Sequence, residues 1–233
     1  MASRTDPYVV LLRGINVGGH AKLAMTQLRE ICSALGCTNV ATYIQSGNVV
    51  LDSPLAPHAL GEQLGEAIEE GAGFRPAVLV RTLDDLVETL LANPFPDADD
   101  RYLHIGFMDK APTDTAIDAL GEIDCSPEAF EIIGTEVFLH YVNGMGSSKK
   151  LVRVPFERRL GVTITARNLR TVRKLVELAG ASHLRPVADV TEASSGRRRP
   201  RRDQNERRRR RQSSAAMTNA NEMKNIIVPT TNS

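Results

Sequence analysis

The order of apolar runs and helical-period segments narrows the fold of this chain most, because that order occurs twice. Tyr8-Val-Val-Leu-Leu12 is a short unbroken apolar run ended by Arg13-Gly14, as a strand buried on both faces would be. Leu28, Ile31 and Leu35 then recur at helical spacing, with Gly36 placed to end the helix. Residues 40–45 and 49–52 flank Ser46-Gly47-Asn48 and read as a hairpin. Leu60, Leu64 and Ile68 mark a second helix stopped by Gly71 and Gly73, and residues 77–80 give another strand. The string is βαββαβ, the split βαβ pattern of a ferredoxin-like sandwich, also called the α/β-plait.

The same order follows once more. Thr82-Leu-Asp-Asp85 resembles a capping box and opens a helix carrying Leu83, Leu86, Leu90 and Leu91, which Asn93-Pro94-Phe95-Pro96 ends. A strand over 102–108, a helix over 113–121 and a hairpin of 130–133 with 137–142, turning at Gly134-Thr135, come next. A basic helix is expected over 149–160. Pro155 removes a backbone donor, which moves its start toward Arg153. A β-branched strand at 162–165 and a helix over 168–178 close the series. The expected fold is therefore α+β: two tandem ferredoxin-like modules at 1–82 and 99–185, joined by a helix and linker at 83–98. A closing helix ends the second module, and a disordered basic tail at 186–233 follows.

Charge separates that tail from the body. Residues 194–233 carry 11 Lys+Arg against 3 acids, which leaves 18 against 25 for 1–193, so a body at −7 bears a tail at +8. Self-repelling arginines build no core, so the tail reads as an extension or an interaction arm. Aromatics are 4% of the chain and Trp is absent, which argues against an RNA-stacking surface. A nucleic-acid partner is thus an expectation for residues 197–211 only, beside the plain alternative of a solvated extension. Cys32, Cys37 and Cys125 make neither a metal-ligand spacing nor an even disulfide set, and the five histidines are scattered. The expectation is buried packing for the cysteines, a reducing compartment, no metal and no cofactor. The apolar run at Tyr8–Leu12 is too short for a signal peptide or a membrane span, so the chain is expected to be cytoplasmic with no membrane partner.

Two long motifs, Tyr8-Val-Val-Leu-Leu-Arg-Gly-Ile-Asn-Val-Gly-Gly-His20 and Thr42-Tyr-Ile-Gln-Ser-Gly-Asn-Val-Val50, resemble the family catalogued as domain of unknown function 1697. The loop at 144–149 and Thr165-Ala-Arg-Asn168 with Thr171-Val172 share the resemblance, which covers roughly residues 7–185. It implies a body of two α/β-plait-like modules. It implies no activity, since the family is uncharacterised. Leu169 stands where the family commonly carries an aromatic residue.

Four polar segments are candidates for chemistry. In Arg13-Gly-Ile-Asn-Val-Gly-Gly-His20, at the expected entrance to the first helix, Gly18 and Gly19 would expose backbone N–H groups to an anion that Arg13 grips and Asn16 assists. A tight turn with Arg13 paired to a carboxylate is the plain alternative. Ser46 and Asn48 could present polar groups beside that loop, or serve the hairpin alone. Ser148 and Lys149, before a helix, could hold a phosphate. Arg167 and Asn168 could join them, or cap the last helix with Arg167 on the surface. No catalytic motif appears. The leading expectation is a small phosphate- or carboxylate-bearing ligand held between the modules by Arg13, Asn16, Gly18, Gly19, Ser46, Asn48, Ser148, Lys149, Arg167 and Asn168. The alternatives are nucleic-acid association through the tail, and a scaffold or dimerisation module without ligand.

Overall fold

Side-chain alternation along the first strand decides the layering. β1 (Asp6–Leu12) is buried from Tyr8 onward; Tyr8, Val10 and Leu12 enter one apolar cluster while Val9 and Leu11 enter another, as the two-residue period of a strand requires. The structure is a computed structural model and describes residues 6–183. The expected tail, with its arginine runs at 197–211, lies outside the described residues.

In the first half, α1 (Met25–Ala34), β2 (Thr38–Tyr43), β3 (Asn48–Ser53), α2 (Pro57–Ala72) and β4 (Val78–Thr82) follow β1. The sheet has the order β2-β3-β1-β4 with antiparallel neighbours throughout. α1 and α2 cover one face with Leu28, Cys32, Leu60, Leu64 and Ile68. Gly73, at φ 77°, supplies the left-handed cap that ends α2.

α3 (Leu83–Leu91) leaves β4 without a linker, and its capping box of Thr82 and Asp85 forms as the sequence suggests. β5 (Leu103–Met108), α4 (Asp114–Gly121), β6 (Ala129–Ile133), β7 (Glu136–His140), α5 (Phe156–Leu160), β8 (Ile164–Asn168) and α6 (Leu169–His183) complete the second half. Its sheet runs β6-β7-β5-β8, again antiparallel. Leu120 of α4 and Phe156 and Leu160 of α5 pack its outer face with Val137 and Leu139.

The remaining faces of the two sheets meet. Val9, Leu11, Val50 and Leu79 of the first sheet share a cluster with Leu103, Ile105, Phe107 and Phe138 of the second, closed by Leu86 of α3 and Leu169, Val172 and Leu175 of α6. Leu169 is thus a core residue.

The two sheets match in register. Leu12 pairs Val78 and Val9 pairs Arg81 in the first; Met108 pairs Ile164 and Ile105 pairs Arg167 in the second. Beyond the strands, Leu12 N donates to Gly47 O and Met108 N to Thr135 O, both at 2.8 Å. Arg13 N donates to Ala77 O as Asp109 N does to Thr163 O, at 2.9 and 3.1 Å.

Two expected elements differ. The basic helix is only the single turn of α5, preceded by short 3₁₀ turns at Met145–Ser147 and Leu151–Arg153, because Pro155 cannot sit inside a longer helix and becomes its N-cap. The last strand runs to Asn168, so Thr165, Ala166 and Arg167 are strand residues and only Asn168 reaches the helix start.

Candidate functional site

Arg167 was expected on the surface or against a ligand; it is 9% exposed and lies between the halves. Its five N–H groups face six acceptors. Nε donates to Asn48 Oδ1, Nη1 to Thr165 Oγ1 at 2.9 Å and Ala166 O at 2.8 Å, and Nη2 to Leu12 O and Ser46 O at 2.9 Å each, with Gly47 O at 3.5 Å. None is a carboxylate. Burial pushes the guanidinium down to about 10, which leaves it charged near neutrality. The acceptor set replaces the water that the charge has lost.

Arg81 occupies the equivalent position and makes equivalent bonds into the opposite half. Its Nη2 donates to Met108 O at 2.7 Å, its Nη1 to Val80 O at 3.2 Å, and its Nε to Glu136 Oε1 at 3.3 Å. Met108 corresponds to Leu12, Val80 to Ala166 and Glu136 to Asn48. Each half's fourth strand thus carries an arginine that clasps the end of the other half's first strand. One clasp has a carboxylate and the other a neutral amide.

Asn48, fully buried, organises the hairpin turn: its Nδ2 donates to Tyr43 O at 3.1 Å and Ser46 Oγ at 2.9 Å. Gly47 is required here. At φ 74° an added Cβ would sit 2.6 Å from Leu12 Cβ. Ile44 in the same turn holds φ 50° with its side chain half exposed, an uncommon state for a β-branched residue.

Arg13 also joins the halves. Its Nη2 donates to Glu157 Oε2 at 2.7 Å and its Nε to Ile164 O at 3.1 Å, while Glu157 Oε1 accepts from Ile164 N at 2.8 Å. The plain alternative for Arg13, pairing with a carboxylate, is what the structure contains.

Gly18 and Gly19 do not open the first helix. They form a turn closed by the Val17–His20 bridge, and α1 starts only at Met25. Asn16 holds the loop to the hairpin: Nδ2 donates to Leu23 O and Gln45 O at 3.0 Å each, and Oδ1 accepts from Leu23 N at 2.9 Å. An open cleft of about 540 Å³ lies beside them, lined among others by Asn16, Gly19, Lys22, Thr26, Arg29 and Gln45, with no acid on its wall. Ala24, the N-cap of α1, offers no side-chain acceptor, and the first turn has no acid. Arg29 Nη1 donates to Thr42 Oγ1 at 2.8 Å, which fixes its head. Neither Lys22 nor Arg29 has a carboxylate partner among the described residues.

Ser148 and Lys149 do not join this group. Ser148 Oγ donates to Glu128 Oε2 at 2.7 Å and accepts from Val152 N at 3.0 Å. Glu128 leads into β6, which lies three strand spacings, about 14 Å, from β8 and Arg167. Lys149 is exposed. Asn168 Oδ1 accepts from Thr171 N at 2.9 Å and caps α6, the plain alternative named for it. The expected convergence is therefore partial: Ser46, Asn48 and Arg167 meet, Asn16 binds the adjoining Gln45 and Arg13 the second half, and the polar groups of all five are spent on these internal bonds.

The cysteines are free and buried, and burial pushes Cys32 up to about 12, so it is no thiolate nucleophile. Among the described residues no group of side chains is placed to hold a metal ion, and no helix is long and apolar enough to cross a membrane.

A family model described as protein of unknown function (DUF1697) matches residues 6–138, more than half of the chain. The chain belongs to the DUF1697 family. A solved structure, the conserved bacterial protein SP0830 from Streptococcus pneumoniae, is similar to this DUF1697 chain at 27% identity and a TM-score of 0.63, covering 76% of this chain and 99% of that one. No curated protein matches. Sequence reasoning missed Arg81, Glu136, Glu157, Lys22 and Arg29. The signal for the first was present: Arg81-Thr82-Leu83 and Arg167-Asn168-Leu169 are both arginine, cap and leucine at a strand-to-helix junction.

Proposed function

We propose that this DUF1697 protein binds a small phosphate- or carboxylate-bearing molecule in the cleft at the start of α1, and that each half is a ferredoxin-like module. The shared strand order and register support the second statement. The first rests on one observation: a 540 Å³ cleft whose wall carries two cations and no acid. The N–H groups of the first turn of α1 add partial positive charge where the N-cap leaves them without a side-chain acceptor. Arg29, steadied by Thr42, offers a planar fork to a phosphate or carboxylate, and Lys22 a mobile point charge. Asn16 and Gln45 supply neutral polar contacts at the rim. The wall holds no carboxylate, histidine or cysteine for acid–base or nucleophilic work, so the reading is binding without catalysis.

The role of Ser46, Asn48 and Arg167 in this reading is to fix the hairpin that borders the cleft, while Arg13 anchors the start of the loop to the second half and Asn168 only caps α6. A thermal-shift series with pyrophosphate, nucleotides and phosphorylated metabolites tests it. A ligand at a hundredfold excess over its Kd adds about 2.7 kcal/mol, or roughly 5–10 °C for a body of this size. The rise disappears in K22Q/R29Q. No rise in the wild type with any of these anions, or an undiminished rise in the double variant, removes the proposal.

A further inference from the structure

The body's charge is divided along the chain. Residues 1–148 hold 8 Lys+Arg against 21 acids, whereas 149–174 hold 9 against the single Glu157. Several of the nine have internal work: Arg167 is buried in the joint, Lys150 pairs with Asp124 at 2.7 Å, Arg173 with Asp100 at 3.0 Å and Lys174 with Glu177 at 2.6 Å. Arg13 occupies Glu157. Arg170, at the start of α6, donates its backbone N–H to Asp100 O at 3.3 Å and sets its charge against Asp99. Lys149, Arg153, Arg158 and Arg159 remain, all exposed and none with a carboxylate partner among the described residues. Leu151, Phe156 and Leu160 turn inward to the third apolar cluster, which leaves these four cations on the outer side of the segment.

We infer that this outer face of the second half, centred on Lys149, Arg153, Arg158 and Arg159, is a docking surface for the phosphate backbone of a nucleic-acid duplex. The eleven residues 149–159, in short helical turns, span at most about 20 Å, a length over which a duplex carries roughly a dozen phosphates. Three of the four cations are arginines, whose forks suit phosphate oxygens. Phe156, the aromatic within 149–159, is turned into the third apolar cluster, and the segment holds no amide side chain, so the surface reads charge and not base edges. A long polyanion is favoured over an acidic peptide because the chain carries a second stretch of the same chemistry, ten arginines within 197–211, outside the described residues. The surface is separate from the cleft at Lys22 and Arg29 and stands or falls without it.

The test is fluorescence anisotropy of the full chain with a labelled 20-base-pair duplex across a salt series, for the wild type, for K149Q/R153Q/R158Q/R159Q, and for K22Q/R29Q. The wild type binds at low salt, and the quadruple variant loses affinity and lowers the log–log salt slope by up to about 3.6, at roughly 0.9 per phosphate contact. K22Q/R29Q leaves both unchanged. Absence of binding by the wild type overturns the inference. So does an unchanged slope in the quadruple variant, which would leave binding to residues 197–211, or displacement of the duplex by an equal charge concentration of poly-glutamate. If the quadruple variant melts below the wild type, the single reversal R158E carries the test and must weaken binding at least as much per charge.

Discussion

Replacing Arg167 with Ala tests the joint between the halves. The change strips donors from Leu12 O, Ser46 O and Asn48 Oδ1, all in the first half, and from Thr165 Oγ1 and Ala166 O beside it. A buried acceptor left without a donor costs about 1–3 kcal/mol, so the three acceptors across the joint set a gross loss of roughly 3–9 kcal/mol. Relief from burying a charge with no carboxylate opposite offsets part of this, and we expect a net loss of about 3 kcal/mol. For a body of this size that lowers Tm by roughly 6–12 °C. Arg167→Lys should recover less than half, since one ammonium cannot reach acceptors spread around a planar fork. Urea unfolding of the wild type, R167A, N48A and the double variant measures it, with a coupling energy of about 1 kcal/mol or more expected between the two sites. Stability of R167A within about 0.5 kcal/mol of the wild type, as for an ordinary surface change, refutes the reasoning.

Gly47→Ala combines the left-handed backbone with a 2.6 Å approach to Leu12 Cβ and should cost about 2–5 kcal/mol in the same assay. Thr82→Ala removes one arm of the α3 capping box and should cost about 1 kcal/mol. Ile44→Gly relieves left-handed strain and should raise stability by roughly 0.5–1 kcal/mol after the flexibility of glycine is counted. Burial holds His104 below its ordinary 6.5, and its Nδ1 has no hydrogen-bond partner among the described residues. The unfolded chain therefore takes up the proton first, and this residue's share of stability is complete above pH 6.5 and falls as the pH drops below it. His104→Gln should flatten the acid side of the stability profile, and an unchanged profile would contradict the assignment.

Much of the fold was legible because the signals are local. The apolar runs at β1 and β5, the helical spacing of Leu60, Leu64 and Ile68, and the Thr82 box each depend on neighbours in sequence. The site was not, because its partners are remote. Arg167 reads as a surface charge beside a cap until β1 and the hairpin at 46–48 come up against it, a contact across 121 positions for Ser46. Arg13 was legible as either a ligand fork or half of an ion pair, and only the fold placed Glu157 opposite it. Lys22 and Arg29 carried no motif. Their meaning comes from a loop that delays α1 by five residues and opens the cleft beside Asn16. The basic face at 149–159 was hidden by summing the whole body, whose acids lie almost all before it.

Titration of ¹⁵N-labelled full-length protein with pyrophosphate, followed by backbone amide and arginine Nε–Hε resonances, tests the assignment of cleft and joint together. Shifts confined to Gly19, residues 22–26, Arg29 and Gln45, with the Arg167 Nε–Hε signal unmoved and slow to exchange, are what the structure predicts. Shifts centred on Arg13 and Arg167, or a rapidly exchanging Arg167, would contradict it.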